Sequence, residues 1–378
     1  MKLFKNSIVY LTIILLILGI WIISKSYSTA FKNDLSINVI ALKEYNGGPN
    51  IINDFIEYNS VFELPINGST GYASLDTTLI DINGNLITNI KAGDGFTILS
   101  ENNNYLLINY NNQKGYINKN YTLINLPDVI PSIIYKNTNS SSSIMKSSFK
   151  NINDITGEKL YDVYTYNNRL NKNEYIMPVL YPMALKIAEA QKIALNNNDT
   201  LILYETYRPY ETQKLIVKNL TILANEDEEV KKGLSSNPWS MTWFISTKTS
   251  NHQKGLAIDV SLGSIKEYKK ITIGNYIVKN ITNYEEYEMP TKMHELSLKS
   301  ARFASPVSSN SKTAWKNAKL TSAMQNSVGA LKLQDYCTNA GLTPLASEWW
   351  HYNDLDCLSF KNGNGRFIIT NNYSILPE

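Results

Sequence analysis

Only three histidines occur in the 378 residues, His252, His294 and His351, and one of them sits in Ser250-Asn251-His252-Gln253-Lys254-Gly255-Leu256-Ala257-Ile258-Asp259-Val260. A neutral imidazole and a carboxylate make two ligands for a borderline metal such as zinc, which asks for a third protein ligand and an open position for water. Either His294 or His351 can complete the set. His351 lies in Ser347-Glu348-Trp349-Trp350-His351-Tyr352, three residues after a glutamate. A turn or bulge there points Glu348 and His351 at one place, whereas an ideal strand puts them on opposite faces. Glu348 is then placed to take a proton from the attacking water, with Trp349 and Trp350 as apolar walls that raise its pKa. His294-Glu295 superficially suggests a zinc-binding HExxH helix, but position 298 is Leu and the second histidine is missing. His294 therefore reads as a loop or pocket-edge residue.

The elements that must position these side chains can be read from local pattern. From Leu256 the residues alternate, so Leu256, Ile258 and Val260 face a core while Asp259 is presented on the other face. Gly255 supplies backbone angles that fold the chain back and bring His252 toward Asp259. Upstream, Leu185, Ala188, Ala190, Ile193 and Ala194 recur at helical spacing, which predicts a helix over 181–196. A buried strand Leu201-Ile202-Leu203-Tyr204 follows and runs into Glu205-Thr206-Tyr207-Arg208-Pro209, leaving Arg208 at the strand end. The chain has four arginines, Arg169, Arg208, Arg302 and Arg366, and a planar anion clamp has to come from these. A second helix is expected over 211–224, with Glu226-Asp227-Glu228-Glu229 solvating its end. Residues 271–278 suggest a hairpin, and 313–341 a long helix closed by Gly341.

Composition narrows the partners. The net charge of +3 implies no basic surface of the kind that binds nucleic acid. Residues 8–23 run apolar after Lys2 and Lys5, which predicts an uncleaved single-pass anchor with the remainder of the chain outside. A cleaved signal peptide is the rival, and Ser26-Tyr27-Ser28-Thr29-Ala30 offers it only a weak cleavage site. Residues 26–60 read as a stalk. Residues 61–127 break into short alternating runs with turns such as Asn83-Gly84-Asn85, the pattern of a small all-β barrel. Residues 128–152, with the run Ser140-Ser141-Ser142-Ser143, have the composition of a linker. Cys337 and Cys357 either form one disulfide or remain two buried thiols.

Ser250-x-His252-x6-Asp259, followed by Glu348-Trp349-Trp350-His351 and preceded by Tyr207-Arg208-Pro209, resembles the zinc D-Ala-D-Ala peptidases of the LAS group (lysostaphin, D-Ala-D-Ala metallopeptidases, hedgehog). The likeness is greatest to the VanX-type dipeptidases and VanY-type carboxypeptidases. It covers residues 153–378 and implies an α+β domain of the hedgehog/DD-peptidase kind. It also implies zinc held by His252, Asp259 and His351, with Glu348 as general base and Arg208 stabilising the transition state. Ser250 and the Tyr207 hydroxyl are candidates for substrate binding. Lys91-Ala92-Gly93-Asp94-Gly95 and the strands after it resemble a bacterial SH3-like domain, separate from the catalytic one, of a type that attaches wall enzymes to peptidoglycan; a spacer without a ligand is the alternative.

The expected reaction is hydrolysis of the terminal D-Ala-D-Ala bond of peptidoglycan stem peptides or precursors. Met289 to Ser297 resembles a VanX-type segment and favours a dipeptidase, whereas an outer location favours a carboxypeptidase. Two further classes compete. Ser143-Ile144-Met145-Lys146 fits the short S-x-x-K pattern of serine D,D-peptidases, and a non-catalytic wall-binding protein could keep zinc for structure alone. Glu348 and Arg208 argue against the last, because a structural site needs neither.

Overall fold

The computed structural model describes residues 61–102, 104–360 and 363–377. The expected anchor and stalk, residues 1–60, lie outside them. No helix among the described residues is long and apolar enough to cross a membrane.

Seven short strands open the described chain: β1 (Thr70–Ala73), β2 (Thr77–Ile80), β3 (Leu86–Ile90), β4 (Gly95–Glu101), β5 (Tyr105–Tyr110), β6 (Gln113–Asn118) and β7 (Thr122–Asn125). They pair antiparallel in the order β3-β2-β6-β5-β4-β1-β7. Alternation does what the sequence suggests, burying Phe96, Ile98, Leu106, Ile108 and Ile117 on one face. The expected separation from the catalytic part is not observed. These residues belong to one continuous apolar core with Ile202, Val260 and Trp350 further along the chain.

Residues 128–152 correct the linker expectation. β8 (Ile134–Tyr135) pairs in parallel at the edge of a second large sheet, a helical turn Thr138–Ser141 follows, and β9 (Lys146–Ser147) and β10 (Lys150–Asn151) form a small hairpin. A serine run can be buried when its hydroxyls find partners. Here Ser140 Oγ accepts from the Val163 amide, and Ser147 Oγ donates to the Leu296 carbonyl at 2.6 Å.

A hairpin of β11 (Tyr164–Asn167) and β12 (Lys172–Tyr175) leads to β13 (Pro178–Leu180), which adds to the β7 edge. Arg169, in the turn of that hairpin, is fully buried. It donates to the carbonyls of Pro65, Asn67, Asp128 and Ile375, tying the all-β sheet, the hairpin and the C-terminal tail together. The helix Tyr181–Asn196 lies where its apolar spacing places it and buries Met183, Ala184, Ile187, Ala190 and Ala194. Then come β14 (Asp199–Glu205), β15 (Ala257–Ile273), β16 (Tyr276–Glu286), β17 (Thr343–Pro344) and β18 (His351–Asn353). The second large sheet runs β17-β18-β15-β14-β8, with β16 paired to β15.

Local chemistry explains three departures. The acidic run after the helix Tyr210–Glu226 starts another helix, Glu228–Ser235, because Asp227 accepts from the amides of Glu229 and Val230. The long helix expected over 313–341 is broken. Thr321 caps a short helix Ser322–Asn326 and Ser327 caps a second, Val328–Asn339, which ends just before Gly341 at φ +85°. Cys337 and Cys357 are two separate buried thiols, not a disulfide.

Candidate metal centre

Three neighbouring strands place the acidic and basic groups at one level. Glu205 on β14 stands opposite Asp259 on β15, and Asp259 stands opposite His351 on β18. Residues directly opposite on paired strands project from the same face, so Glu205, Asp259 and His351 form a row. Asp259 does face away from Ile258 and Val260, as the alternation predicts, but it is buried with them, only 1% exposed. Both faces of this central strand are covered.

His252 joins the row from the preceding loop. The turn is closed by Gly255 at φ +70°, with its amide on the His252 carbonyl and the Leu256 amide on the Asn251 carbonyl. A Cβ on Gly255 would come within 2.4 Å of Leu123 on β7, so glycine is needed both for conformation and for the all-β sheet to close on the loop. Glu348 reaches the same place because Trp349 and Trp350 make a turn before β18. Buried Arg302 holds that turn, donating to the Leu345 and Trp349 carbonyls and lying 4.6 Å over the Tyr352 ring.

The three expected ligand atoms converge. His351 Nδ1 is 3.0 Å from Asp259 Oδ1, His252 Nε2 is 3.4 Å from that oxygen, and the two nitrogens are 3.2 Å apart. Their other ring nitrogens are committed as donors, His252 Nδ1 to the Thr206 carbonyl at 2.6 Å and His351 Nε2 to Asn353 Oδ1 at 3.1 Å. Those partners assign the protons and leave two lone pairs and a carboxylate oxygen facing one another. A buried cluster of three acceptors is repulsive unless a cation sits among them. The spacing suits one, since tetrahedral coordination with bonds of about 2.0–2.1 Å has edges of roughly 3.3 Å. His252, Asp259 and His351 therefore fit a metal ion.

A second group, Glu205, Asp259 and His294, is also close enough to hold a cation. That place already has one. Arg208 donates from Nε to Glu205 Oε1 at 2.7 Å and from Nη2 to Glu205 Oε2, and its Nη2 lies 3.5 Å from Asp259 Oδ2. An added ion would meet the guanidinium at a cost of about 4 kcal/mol per unit of its charge at 4 Å and an effective dielectric of 20. We read the group as a buried ion network. Burial works against the Arg208 charge, but Glu205 and Asp259 outweigh it and hold the guanidinium above its ordinary pKa.

Glu348 Oε2 lies 3.6 Å from His351 Nδ1. Burial pushes its carboxyl up to about 8, against the pull of His351, and a dication on the three ligands would bring it down toward the range of a base working at neutral pH. Asp259 goes the other way. Burial would raise its carboxyl, but with His252, His294 and His351 protonated toward it the three imidazoles hold it well below the usual range; with the His252 and His351 lone pairs turned inward, a bound cation takes their place.

The two residues expected to touch substrate part company. Ser250 Oγ is enclosed and has no partner among the described residues. Tyr207 turns away from the cluster: its hydroxyl donates to the carbonyls of Gly365 and Phe367, and its ring stacks on Phe367 at 4.9 Å. A phenol buried next to free carbonyls takes them as partners, so Tyr207 fastens the C-terminal tail beside the site. His294, read from sequence as a pocket edge, is the residue that reading missed. It is 1% exposed, and its Nε2 is 3.0 Å from Asp259 Oδ2. Its scarcity was the one available signal.

No curated protein matches the chain. Residues 164–367, just over half of it, match the family described as D-Ala-D-Ala dipeptidase, peptidase family M15. The matched span contains His252, Asp259, Glu348, His351 and Arg208, the residues that this mixed α+β fold gathers around one point, and the chain belongs to that peptidase family.

Proposed function

We propose that the chain is a zinc-dependent D,D-carboxypeptidase that removes the terminal D-Ala from peptidoglycan stem peptides or precursors. It would face the wall from the single-pass anchor expected at residues 8–23, with the all-β unit of residues 61–127 as an SH3-like module. The observation that carries the hydrolase reading is the meeting of His252 Nε2, Asp259 Oδ1 and His351 Nδ1 within 3.4 Å, with Glu348 beside them. Zinc, when bound by these three, supplies Lewis acidity that acidifies water and polarises a carbonyl.

The chain's own groups do the rest. Glu348 accepts the proton of the attacking water and returns it to the leaving amine. Trp349 and Trp350, both buried, keep the carboxylate poorly solvated and so basic enough for that task. Arg208 stabilises the developing negative charge. Most of its donors are held by Glu205 and Gln213, so it acts more through its fixed field in a buried site than through a free fork. The Ser250 hydroxyl, without a partner among the described residues, keeps its hydrogen-bonding capacity for a substrate that reaches it.

A dipeptidase acting on free D-Ala-D-Ala is the second reading, favoured by the description of the matched family. The full chain loaded with zinc is incubated with D-Ala-D-Ala and with a stem pentapeptide, and released D-Ala is measured by mass. Release from the pentapeptide is expected, lost with chelator and in Glu348→Gln by 100-fold or more, and untouched by a β-lactam. Cleavage of the dipeptide alone transfers the assignment to the second reading. A zinc-loaded protein that cleaves neither removes both and leaves a wall-binding protein.

A further inference from the structure

We propose that His294 is a positioning residue that fixes the carboxylate of Asp259 in its metal-facing orientation. The inference rests on the metal centre proposed above and adds a residue to it. Asp259 must keep Oδ1 turned to His252 and His351, and a carboxylate free to rotate would lose that aim. Its Oδ2 takes the Nε2–H of His294 at 3.0 Å, while Arg208 is more distant at 3.5 Å. His294 Nδ1 is buried and has no partner among the described residues, and Glu205 Oε2 lies 3.7 Å from Nε2, beyond hydrogen-bonding distance. The imidazole therefore directs its one hydrogen bond at Asp259. A donor behind a metal-binding carboxylate fixes its direction and raises affinity for the ion.

The loop is built to hold this ring. His294 has φ +59°, a left-handed conformation uncommon for any residue but glycine. The Lys146 amide donates to the His294 carbonyl at 3.0 Å, and the Leu296 amide returns to the Lys146 carbonyl at 2.7 Å. The Phe149 amide donates to Glu295 Oε2 at 3.0 Å, and the ring stands edge-on to Trp350 at 6.0 Å. Residues 146–149 precede the span matched to the family. The serine-rich segment between the all-β sheet and the catalytic fold thus serves the metal centre by clamping the His294 backbone.

Two variants of the full chain separate the donor from the bulk. His294→Gln carries an amide N–H about as far out as Nε2. His294→Asn tolerates the left-handed backbone but reaches only as far as Nδ1. Zinc affinity is measured by chelator competition, the visible spectrum of the cobalt-substituted protein reports the ligand field, and the melting of the metal-free proteins is the control. His294→Asn is expected to bind zinc 10- to 100-fold more weakly with an altered cobalt spectrum, and His294→Gln to recover most of the affinity. Wild-type affinity and spectrum in His294→Asn would overturn the assignment, as would equal losses in both variants. A wild type that binds no zinc removes this assignment together with the centre beneath it. A wild type that binds zinc yet cleaves no D-Ala-D-Ala substrate removes only the proposed activity and leaves the affinity comparison to decide for His294.

Discussion

Asp259 has a different environment at each of its two oxygens, although both are built from similar residue types. At Oδ1 stand His252 and His351 with their lone pairs inward and, among the described residues, no paired cation. At Oδ2 stand His294 as a donor and Arg208 as a permanent charge, shared with Glu205. The second environment is offset by the chain's own cation and donor, while the first can be offset only by a cation from outside. Both lie within one row of side chains across β14, β15 and β18, so burial alone does not make a metal site. The sign of the nearest protein charge decides.

The largest effect expected from this contrast is on metal content. One zinc per chain should bind, and stripping it with a chelator, or replacing His351 by Ala, should abolish hydrolysis while the Oδ2 network stays intact. Metal analysis of the purified chain is the check. Two ions per chain would break the comparison, because the second would have to lie against the guanidinium of Arg208.

Arg208 comes next in size. In Arg208→Ala, Glu205 loses its ion-pair partner in a site where it is fully buried. Breaking a buried pair in this way costs about 3–5 kcal/mol of stability, and loss of the fixed charge should lower kcat by about 100-fold or more. Arg208→Lys keeps the charge but not the fork that spans Glu205 and Gln213, so it should retain more activity than Ala. Chemical denaturation and steady-state rates measure the two effects. Equal losses in Ala and Lys would show that the fork, and not the charge, is what the site uses.

What could be read beforehand follows the range of the interactions. The convergence of His252, Asp259, Glu348 and His351 was legible because strand alternation, a turn glycine and a three-residue spacing act within a dozen residues of each side chain. The strands of the all-β unit were legible for the same reason. Residues 128–152 were not, since serines that are soluble in a linker are equally at home buried when the carbonyls of distant residues, such as Leu296, lie within reach. Tyr207 was misplaced because its partners are Gly365 and Phe367, far along the chain. His294 was missed because its role depends on a left-handed backbone clamped by Lys146. The break in the 313–341 helix was present in the sequence, in Thr321 and Ser327, two residues of the kind that cap a new helix.

A partly buried carboxylate outside the site, Glu63, shows what happens when a cation, Lys279, offsets burial only in part, and it gives the smallest expected effect. Glu63 precedes β1 and accepts from the Ser132 amide at 3.0 Å and from the Ser132 hydroxyl. Burial pushes its carboxyl up to about 7 from 4.5, and the hydrogen bonds from Ser132 only partly offset this. Between those two values the native chain holds a proton that the unfolded chain has released, so stability falls as pH rises from about 4.5 to 7 and is flat beyond. Glu63→Gln removes this dependence. Its stability relative to wild type should therefore increase across the same interval, by about 1 kcal/mol, less than the full shift implies because the side chain keeps some contact with solvent. Urea unfolding of both proteins at pH 4.5, 6 and 7.5 measures it. A difference that stays constant with pH would mean that Glu63 is neutralised after all, and that Asp259 is not unusual in having its charge matched.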